Sequence, residues 1–314
     1  MSPDAAPPAS DGDRSLVLNP AAGDGQHTAQ IYDLAGQYDF TVHETDSAKD
    51  IVETAAAVAP DASILAAAGG DGTLTRVVRG IDRADAFDDT TFGVVPAGTG
   101  NSFAGNVGVT GLEQAFEVME HGDRRRVDLG TVGVGDGEQA PFLNSVVAGL
   151  TAESSADTDS ASKERWGVLA YAMTTVQTAS NFDALRVTIE RPEQAALECE
   201  AQIVLIGNGR RFPRPGGSQA NLEDGLLDVS FLEDASALEL AGDSLRQAIG
   251  NEADRVEEFT TPAVSIEIDG PHSRISVDGE IESAESVAAA VRPKTLWLAV
   301  GDGYQAEPDG GQSA

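Results

Sequence analysis

Residues 64–68, Ile-Leu-Ala-Ala-Ala, run directly into Gly69-Gly70-Asp71-Gly72-Thr73 and then into Leu74-Thr75-Arg76-Val77-Val78-Arg79, whose apolar spacing is helical. A buried strand, a glycine-rich turn and a helix in that order confine this part of the chain to a parallel α/β layer. Glycines at a helix N-terminus let backbone N–H groups approach a ligand with no Cβ in the way, which favours phosphate. Asp71 would repel phosphate there unless it holds Mg²⁺ or a reacting hydroxyl beside it. The alternative is a plain strand–helix loop with a polar cap.

The same rhythm extends to residue 124. Strands are expected at 15–18, 40–42, 64–68 and 92–95, with helices at 28–37, 48–58, after Gly72, and at 112–120. Beyond residue 125 strand patterns dominate, at 127–134, 142–149, 184–190, 198–207, 226–232, 263–268, 274–278 and 295–300. Leu185-Arg186-Val187-Thr188-Ile189-Glu190 alternates as a half-buried strand does. Helices are expected only at about 163–178, with Trp166, Leu169, Ala170, Met173 and Val176 on one face, and at 236–249. The fold class is therefore α/β plus β. A three-layer parallel-sheet nucleotide domain spans 15–124, and an antiparallel β-sandwich for the substrate spans 125–300. The last residues, 301–314, are expected to pack back on the first domain. Residues 1–14 and 301–314 are rich in Gly, Pro, Asp and Ser.

The 314 residues carry 52 Asp and Glu against 20 Lys and Arg, a net charge of −32, and Lys occurs only at 49, 163 and 294. So much like charge repels itself at ordinary ionic strength, and molar salt removes the problem. The composition reads as that of a halophile's cytoplasmic protein, and nucleic acid is a poor partner for it. Cys199 stands alone in an expected strand, which excludes a disulfide framework and a cysteine zinc site. His27, His43, His121 and His272 show no ligand spacing. No signal peptide is expected, since residues 1–13 have no apolar core, and no apolar run approaches the length that spans a bilayer.

Several nucleotide motifs are missing. No Lys follows a Gly, so there is no Walker A loop, and there is no Gly-x-Ser-x-Gly elbow. A loose Gly-x-Gly at 135–137 has no helix after it and reads as a hairpin turn. Three small-residue loops remain, at 19–23, 69–73 and 96–103, each following an expected parallel strand. Ligands of open α/β sheets bind at that edge. Converging there, the loops suit a triphosphate, with N–H groups, the Thr99 hydroxyl and the Asn101 amide as donors. Gly70 and Gly98 are expected to keep the phosphate volume open.

Asn-Pro-x-x-Gly at 19–23, Gly-Gly-Asp-Gly-Thr at 69–73 and Pro-x-Gly-Thr-x-Asn-x-Phe at 96–103 together resemble the diacylglycerol kinase catalytic superfamily. The branch most resembled is that of the soluble bacterial lipid kinases, relatives of sphingosine and ceramide kinases. Val127-Asp128-Leu129-Gly130, Phe142-Leu143-Asn144, Asp224-Gly225-Leu226-Leu227-Asp228 and Asp278-Gly279-Glu280 continue the resemblance in the same order. It implies ATP contacts from Asn19, Thr45, Gly70, Asp71, Gly72, Thr73, Gly98, Thr99 and Asn101. It makes Glu280 the base for a lipid hydroxyl, and Asp71 the residue that positions Mg-ATP or the acceptor, or, as in some branches, is itself the base. It implies a structural Mg²⁺ bound by Asp224 and the backbone carbonyls of Asn221 and Leu226. ATP would lie in a cleft between the domains, and the lipid would be met at the membrane surface by peripheral contact; a homodimer is compatible with all of this. Ser102 and Gly105 stand where the family often has Asp and Arg. Asp24 follows the first loop, where a basic residue is common.

Two residues apart at a strand end, Asp278 and Glu280 could share a face, with Gly279 admitting another backbone and the paired carboxylates raising one pKa toward that of a base. The alternative is a solvated acid pair at a hairpin. These features point to an ATP-dependent kinase acting on a diacylglycerol-like or other long-chain lipid alcohol. The rivals are an NAD kinase, which shares the Gly-Gly-Asp-Gly-Thr loop, and a non-catalytic nucleotide- or lipid-binding regulator.

Overall fold

A computed structural model describes residues 13–23, 27–149, 185–214, 217–233, 256–269 and 274–308. The helices expected at 163–178 and 236–249, Asp24 and His272 lie outside them. The chain divides into two compact units: residues 1–129, 221–225 and 292–314 form the first, and residues 130–220 and 226–291 the second.

The first unit opens with β1 (Asp13–Leu18), α1 (Thr28–Gln37), β2 (Thr41–Glu44), α2 (Ala48–Val58), β3 (Ala62–Gly69), α3 (Asp71–Arg83) and β4 (Thr91–Pro96). It continues with the short α4 (Ser102–Asn106), α5 (Leu112–His121) and the start of β5 (Asp123–Val134). β1 lies between β2 and β3 and β3 beside β4, every pair parallel, with Leu16 opposite Ala66 and Ala67 opposite Val94. Helices cover the sheet, so β3 is a continuous apolar run buried along nearly its whole length. Phe92, Phe103, Phe116, Leu16, Leu65 and Val77 fill the core. Ser47 starts α2 by accepting the Asp50 amide at 3.2 Å, a side-chain cap that satisfies one otherwise orphaned donor.

The second unit holds the end of β5, then β6 (Ala140–Phe142), β7 (Ser145–Ala148), β8 (Leu185–Glu190), β9 (Leu197–Gly207), β10 (Arg210–Arg214), β11 (Gly217–Gln219) and β12 (Leu227–Glu233). After these come β13 (Val256–Thr261), β14 (Ala263–Asp269), β15 (Arg274–Val277), β16 (Glu280–Ser283) and the first half of β17 (Ser286–Val300). Its pairings are antiparallel. β9 takes β8 and then β7 along one edge and β12 along the other. Val264, Ile266 and Ile268 of β14 alternate inward and join Phe142, Val187, Ile189, Ile206, Val229 and Ile275 in one core. This is the antiparallel β-sandwich expected from the sequence, and the first unit is the expected parallel-sheet domain. Residues 135–139 form the expected hairpin connection between β5 and β6. Cys199 lies in β9 and forms no disulfide.

Several boundaries differ from expectation. The strand expected at 142–149 breaks into β6 and β7, because the amides of residues 143–145 bond to a side chain and not to a neighbouring strand. The strand expected at 295–300 begins at Ser286. Its first half pairs antiparallel with β14, and Trp297 and Leu298 pair parallel with β4. Pro293 and Lys294, the latter at φ 46°, lie between the two halves. The β10–β11 hairpin, β13, β16 and α4 have no counterpart in the sequence pattern, being short or weakly alternating.

Candidate active site

The three small-residue loops leave the C-terminal ends of β1, β3 and β4 and meet. Asn19 donates through Nδ2 to the Thr73 hydroxyl at 3.3 Å, and its amide N–H reaches the Ala68 carbonyl at 3.1 Å. The Asp71 amide bonds the Gly100 carbonyl at 3.0 Å. A Cβ placed on Gly98 would lie 2.3 Å from the Gly70 Cα, and one on Gly70 would lie 2.9 Å from the Gly100 carbonyl oxygen. The second and third loops therefore touch backbone to backbone. This corrects the expected reason for Gly98: its missing side chain admits the neighbouring loop and not a phosphate.

Asp71 opens α3, with Gly70 as its N-cap. Its Oδ2 accepts the Ser102 amide at 3.1 Å and its Oδ1 the Phe103 amide at 3.0 Å. The carboxylate thus caps the first turn of α4 across the loop junction, an engagement that sequence reasoning did not foresee. Carboxylate oxygens are also donors that a hard divalent cation takes. Asn101 closes its own loop, donating to the Gly98 carbonyl at 2.7 Å and accepting the Gly98 amide at 3.2 Å. It therefore has one remaining amide N–H to offer a ligand, fewer donors than the sequence suggested. Thr99 and Gly100 are exposed at the loop tip. Thr45 is 2% exposed and donates its hydroxyl to the Leu18 carbonyl at 3.0 Å, which fastens the end of β2 to the end of β1. Thr73 is buried and Gly72 half-buried at the start of α3.

Glu280 stands in the second unit as the first residue of β16, half-buried and paired with Val277 across a two-residue turn. Asp278 at φ 47° and Gly279 at φ 92° both occupy the left-handed region, as a tight hairpin turn with matching twist requires. The expected shared strand face for Asp278 and Glu280 is therefore absent, since a turn and not a strand joins them. Nothing lies within 4 Å of a Cβ built on Gly279, so this glycine supplies backbone conformation and not close approach. Nor is Asp278 simply solvated. Its Oδ2 accepts the Leu143 amide at 2.7 Å, and its Oδ1 accepts the amides of Asn144 and Ser145, each at 2.9 Å. The same segment is held from its other side, where Asn208 and Gly209 donate their amides to the Asn144 and Leu143 carbonyls at 2.9 and 2.8 Å. The hairpin that carries Glu280 is thus anchored at its turn.

Asn221, Asp224 and Leu226 lie at a turn. Asn221 accepts the Glu223 amide on its own Oδ1 at 2.9 Å, Asp224 is exposed, and Gly225 has φ 75°. Carboxylate and carbonyl oxygens are the donors a hard divalent cation takes, and with the Asn221 side chain engaged, its backbone carbonyl is the oxygen left to serve. Among the described residues no three His, Cys, Asp or Glu side chains cluster as a metal site.

Residues to which the sequence analysis gave no role secure this turn. Asp128, 2% exposed, accepts the Gly225 amide at 2.6 Å and the Lys294 amide at 2.7 Å. Burial pushes its carboxyl above the ordinary aspartate range, against the two amides, and Glu223 adds to the rise. Arg125 grips Glu223 through both carboxylate oxygens at 3.0 and 2.6 Å, and the Tyr304 hydroxyl donates to Glu223 at 3.0 Å. Burial first, and then the Glu223 charge, push the Tyr304 phenol far above its usual range. Asp128 is flanked by buried Val127 and Leu129, in a strand that opens with Asp123 and three arginines.

Residues 14–132 match the diacylglycerol kinase catalytic domain, and residues 144–300 match the YegS C-terminal NAD kinase beta sandwich-like domain. The chain belongs to the family that joins these two domains. Among its relatives, it is 27% identical to the diacylglycerol kinase of Bacillus subtilis (strain 168) over 299 residues, covering 89% of this chain and 96% of that one. It is 25% identical to the lipid kinase YegS of Escherichia coli (strain K12) over 292 residues, covering 90% and 93%. A crystal structure of a diacylglycerol kinase from Bacillus anthracis superposes with a TM-score of 0.74 at 21% identity, covering 93% of this chain and 98% of that one. Among the described residues no helix is long and apolar enough to cross a membrane.

Proposed function

We propose that the protein is an ATP-dependent lipid kinase that phosphorylates the hydroxyl of a diacylglycerol-like or other long-chain lipid alcohol. The observation that carries this proposal is the meeting of three glycine-containing loops at the N-terminus of a 13-residue helix, α3, within a diacylglycerol kinase catalytic domain. Asn19, Gly70 to Thr73 and the exposed Thr99–Gly100 tip would hold the donor phosphates by backbone N–H groups and hydroxyls. Asp71 would orient the Mg²⁺ that accompanies ATP, and bound Mg-ATP supplies the phosphoryl group and the neutralising charge. Glu280, held by the Asp278 turn, would take the proton of the acceptor hydroxyl. A second Mg²⁺, purely structural, would be held by Asp224 and the carbonyls of Asn221 and Leu226. The acidic composition supports a high-salt cytoplasm, where screening would let the protein touch an anionic membrane surface peripherally.

The test is transfer of label from ATP to a total lipid extract, with the product identified by mass. Glu280→Gln should lose about 10²–10⁴-fold in turnover while keeping ATP affinity. The sandwich's likeness to that of NAD kinases supports one rival, so NAD belongs in the same assay as a second acceptor. Labelled NADP and no labelled lipid would replace the proposal with the rival.

A further inference from the structure

The three phosphate-facing loops contain no Lys or Arg, in a chain of net charge −32. A nucleotide polyphosphate brings several more negative charges to a site that already holds Asp71, and backbone N–H groups carry only partial charges to offset them. One cation is built against the site. The Nη1 of Arg76 lies 3.3 Å from where a Cβ on Gly72 would stand, and its Cζ 4.0 Å away. Arg76 is one turn beyond Gly72 on α3, and long helical side chains lean toward the N-terminus, so its guanidinium folds back over the first turn. Gly72 leaves room for it there. Arg76 is half-buried, which limits the solvent that would otherwise screen its charge.

The helix face continues the pattern. Residues 72, 76, 79 and 83 follow one another at helical spacing along the solvent side of α3, while Leu74, Val77, Val78 and Ile81 are buried. Three of the chain's 20 basic residues, Arg76, Arg79 and Arg83, thus form a stripe that ends at the glycine loop. Arg83 is also where a helix C-terminus favours a cation, but that reason does not reach Arg76, which stands in the first half of the helix, where the macrodipole opposes positive charge.

We propose that Arg76 is a phosphate-binding residue of the donor site, its guanidinium contacting the polyphosphate of the bound nucleotide and supplying the charge that the loops lack. Arg79, one turn further, draws the anion in without touching it. The assignment rests on the donor site proposed above. A guanidinium offers paired N–H donors to phosphate oxygens, so Lys replaces it only in part.

Calorimetry of ATP and AMP binding to the full-length protein, at one fixed salt concentration, tests this. Arg76→Gln should weaken ATP binding about 10–100-fold and AMP binding far less. Arg76→Lys should recover part of the loss, and Arg79→Gln should cost at most about threefold. Wild-type ATP affinity in Arg76→Gln would overturn the assignment and leave the donor site standing. So would equal losses for ATP and AMP, or equal losses in the Arg76 and Arg79 variants. A wild-type protein that binds no ATP would remove the donor site and Arg76's role with it.

Discussion

Gly98 and Gly70 meet backbone to backbone: a Cβ on Gly98 would stand 2.3 Å from the Gly70 Cα and 2.5 Å from its nitrogen. The two loops can adjoin only while both residues lack side chains, so even the smallest substitution at Gly98 should separate them. Gly98→Ala should cost about 1–3 kcal/mol by overpacking, seen as a lower urea midpoint. Gly105→Ala, at a helical position with nothing within 4 Å, should be neutral or slightly stabilising. Similar midpoints for the two variants would show that the loops do not pack this way.

Asp278 satisfies three backbone amides with one carboxylate. Asp278→Ala strands all three and should lower stability by about 3 kcal/mol. Asp278→Asn keeps an acceptor oxygen for Asn144 and Ser145 and a side chain tolerant of positive φ, and should cost about 1 kcal/mol. Chemical denaturation of the pair measures the difference, and equal small losses would count against the clasp.

Burial raises the Asp128 carboxyl pKa in the native state, so the folded protein holds this proton more tightly than the unfolded chain does. Stability from this group therefore falls as pH rises from the ordinary aspartate value through the raised one. Asp128→Asn has no such proton. The wild type's advantage over that variant should be greatest near about pH 4 and shrink toward about pH 7, read from urea midpoints at each pH. Glu120, whose carboxyl Arg14 holds low, contributes oppositely but equally to both proteins and cancels. An advantage that grows with pH would contradict the buried acid.

Added Mg²⁺ should raise the melting temperature of the wild type by an increment that follows RT ln(1 + [L]/Kd), and should raise that of Asp224→Ala less. Turnover per folded molecule should be nearly equal in the two. Identical Mg²⁺ responses would remove Asp224 from the structural metal site.

Folding should need salt. Carboxylates repel one another over about 10 Å at 0.1 M salt but only about 3 Å at 1 M, and 52 of them share this chain. The melting temperature should climb steeply between those concentrations. A flat profile would mean that the acidic surface carries no stability penalty.

Much of this molecule was legible because periodicity and glycine placement act locally. The α1 and α2 spans follow from the 3.6-residue spacing of Ile31, Leu34, Ile51 and Ala55. The convergence of Asn19, Gly70 and Gly98 follows from their position at the ends of parallel strands. What escaped depends on partners far away in the chain. Asp71 caps a helix 31 residues on, Asp278 clasps amides 133–135 residues back, and Asp128 reaches amides 97 and 166 residues away. A carboxylate's choice between solvent, metal and distant backbone leaves no mark on its own neighbourhood in the sequence. In a chain this acidic, each such residue looks like another solvated charge.

The first unit is assembled from three separated stretches: residues 1–129, the 221–225 turn on Asp128, and residues from 292 onward, which pair with β4. A gene cut after residue 129 would therefore not release a free-standing first unit. It would encode a sheet with β4 as a bare, apolar edge and Asp128 deprived of both its amide donors, a template for self-association. The two units are inseparable at the level of the gene, and exchanging halves between relatives would require transplanting all three stretches together.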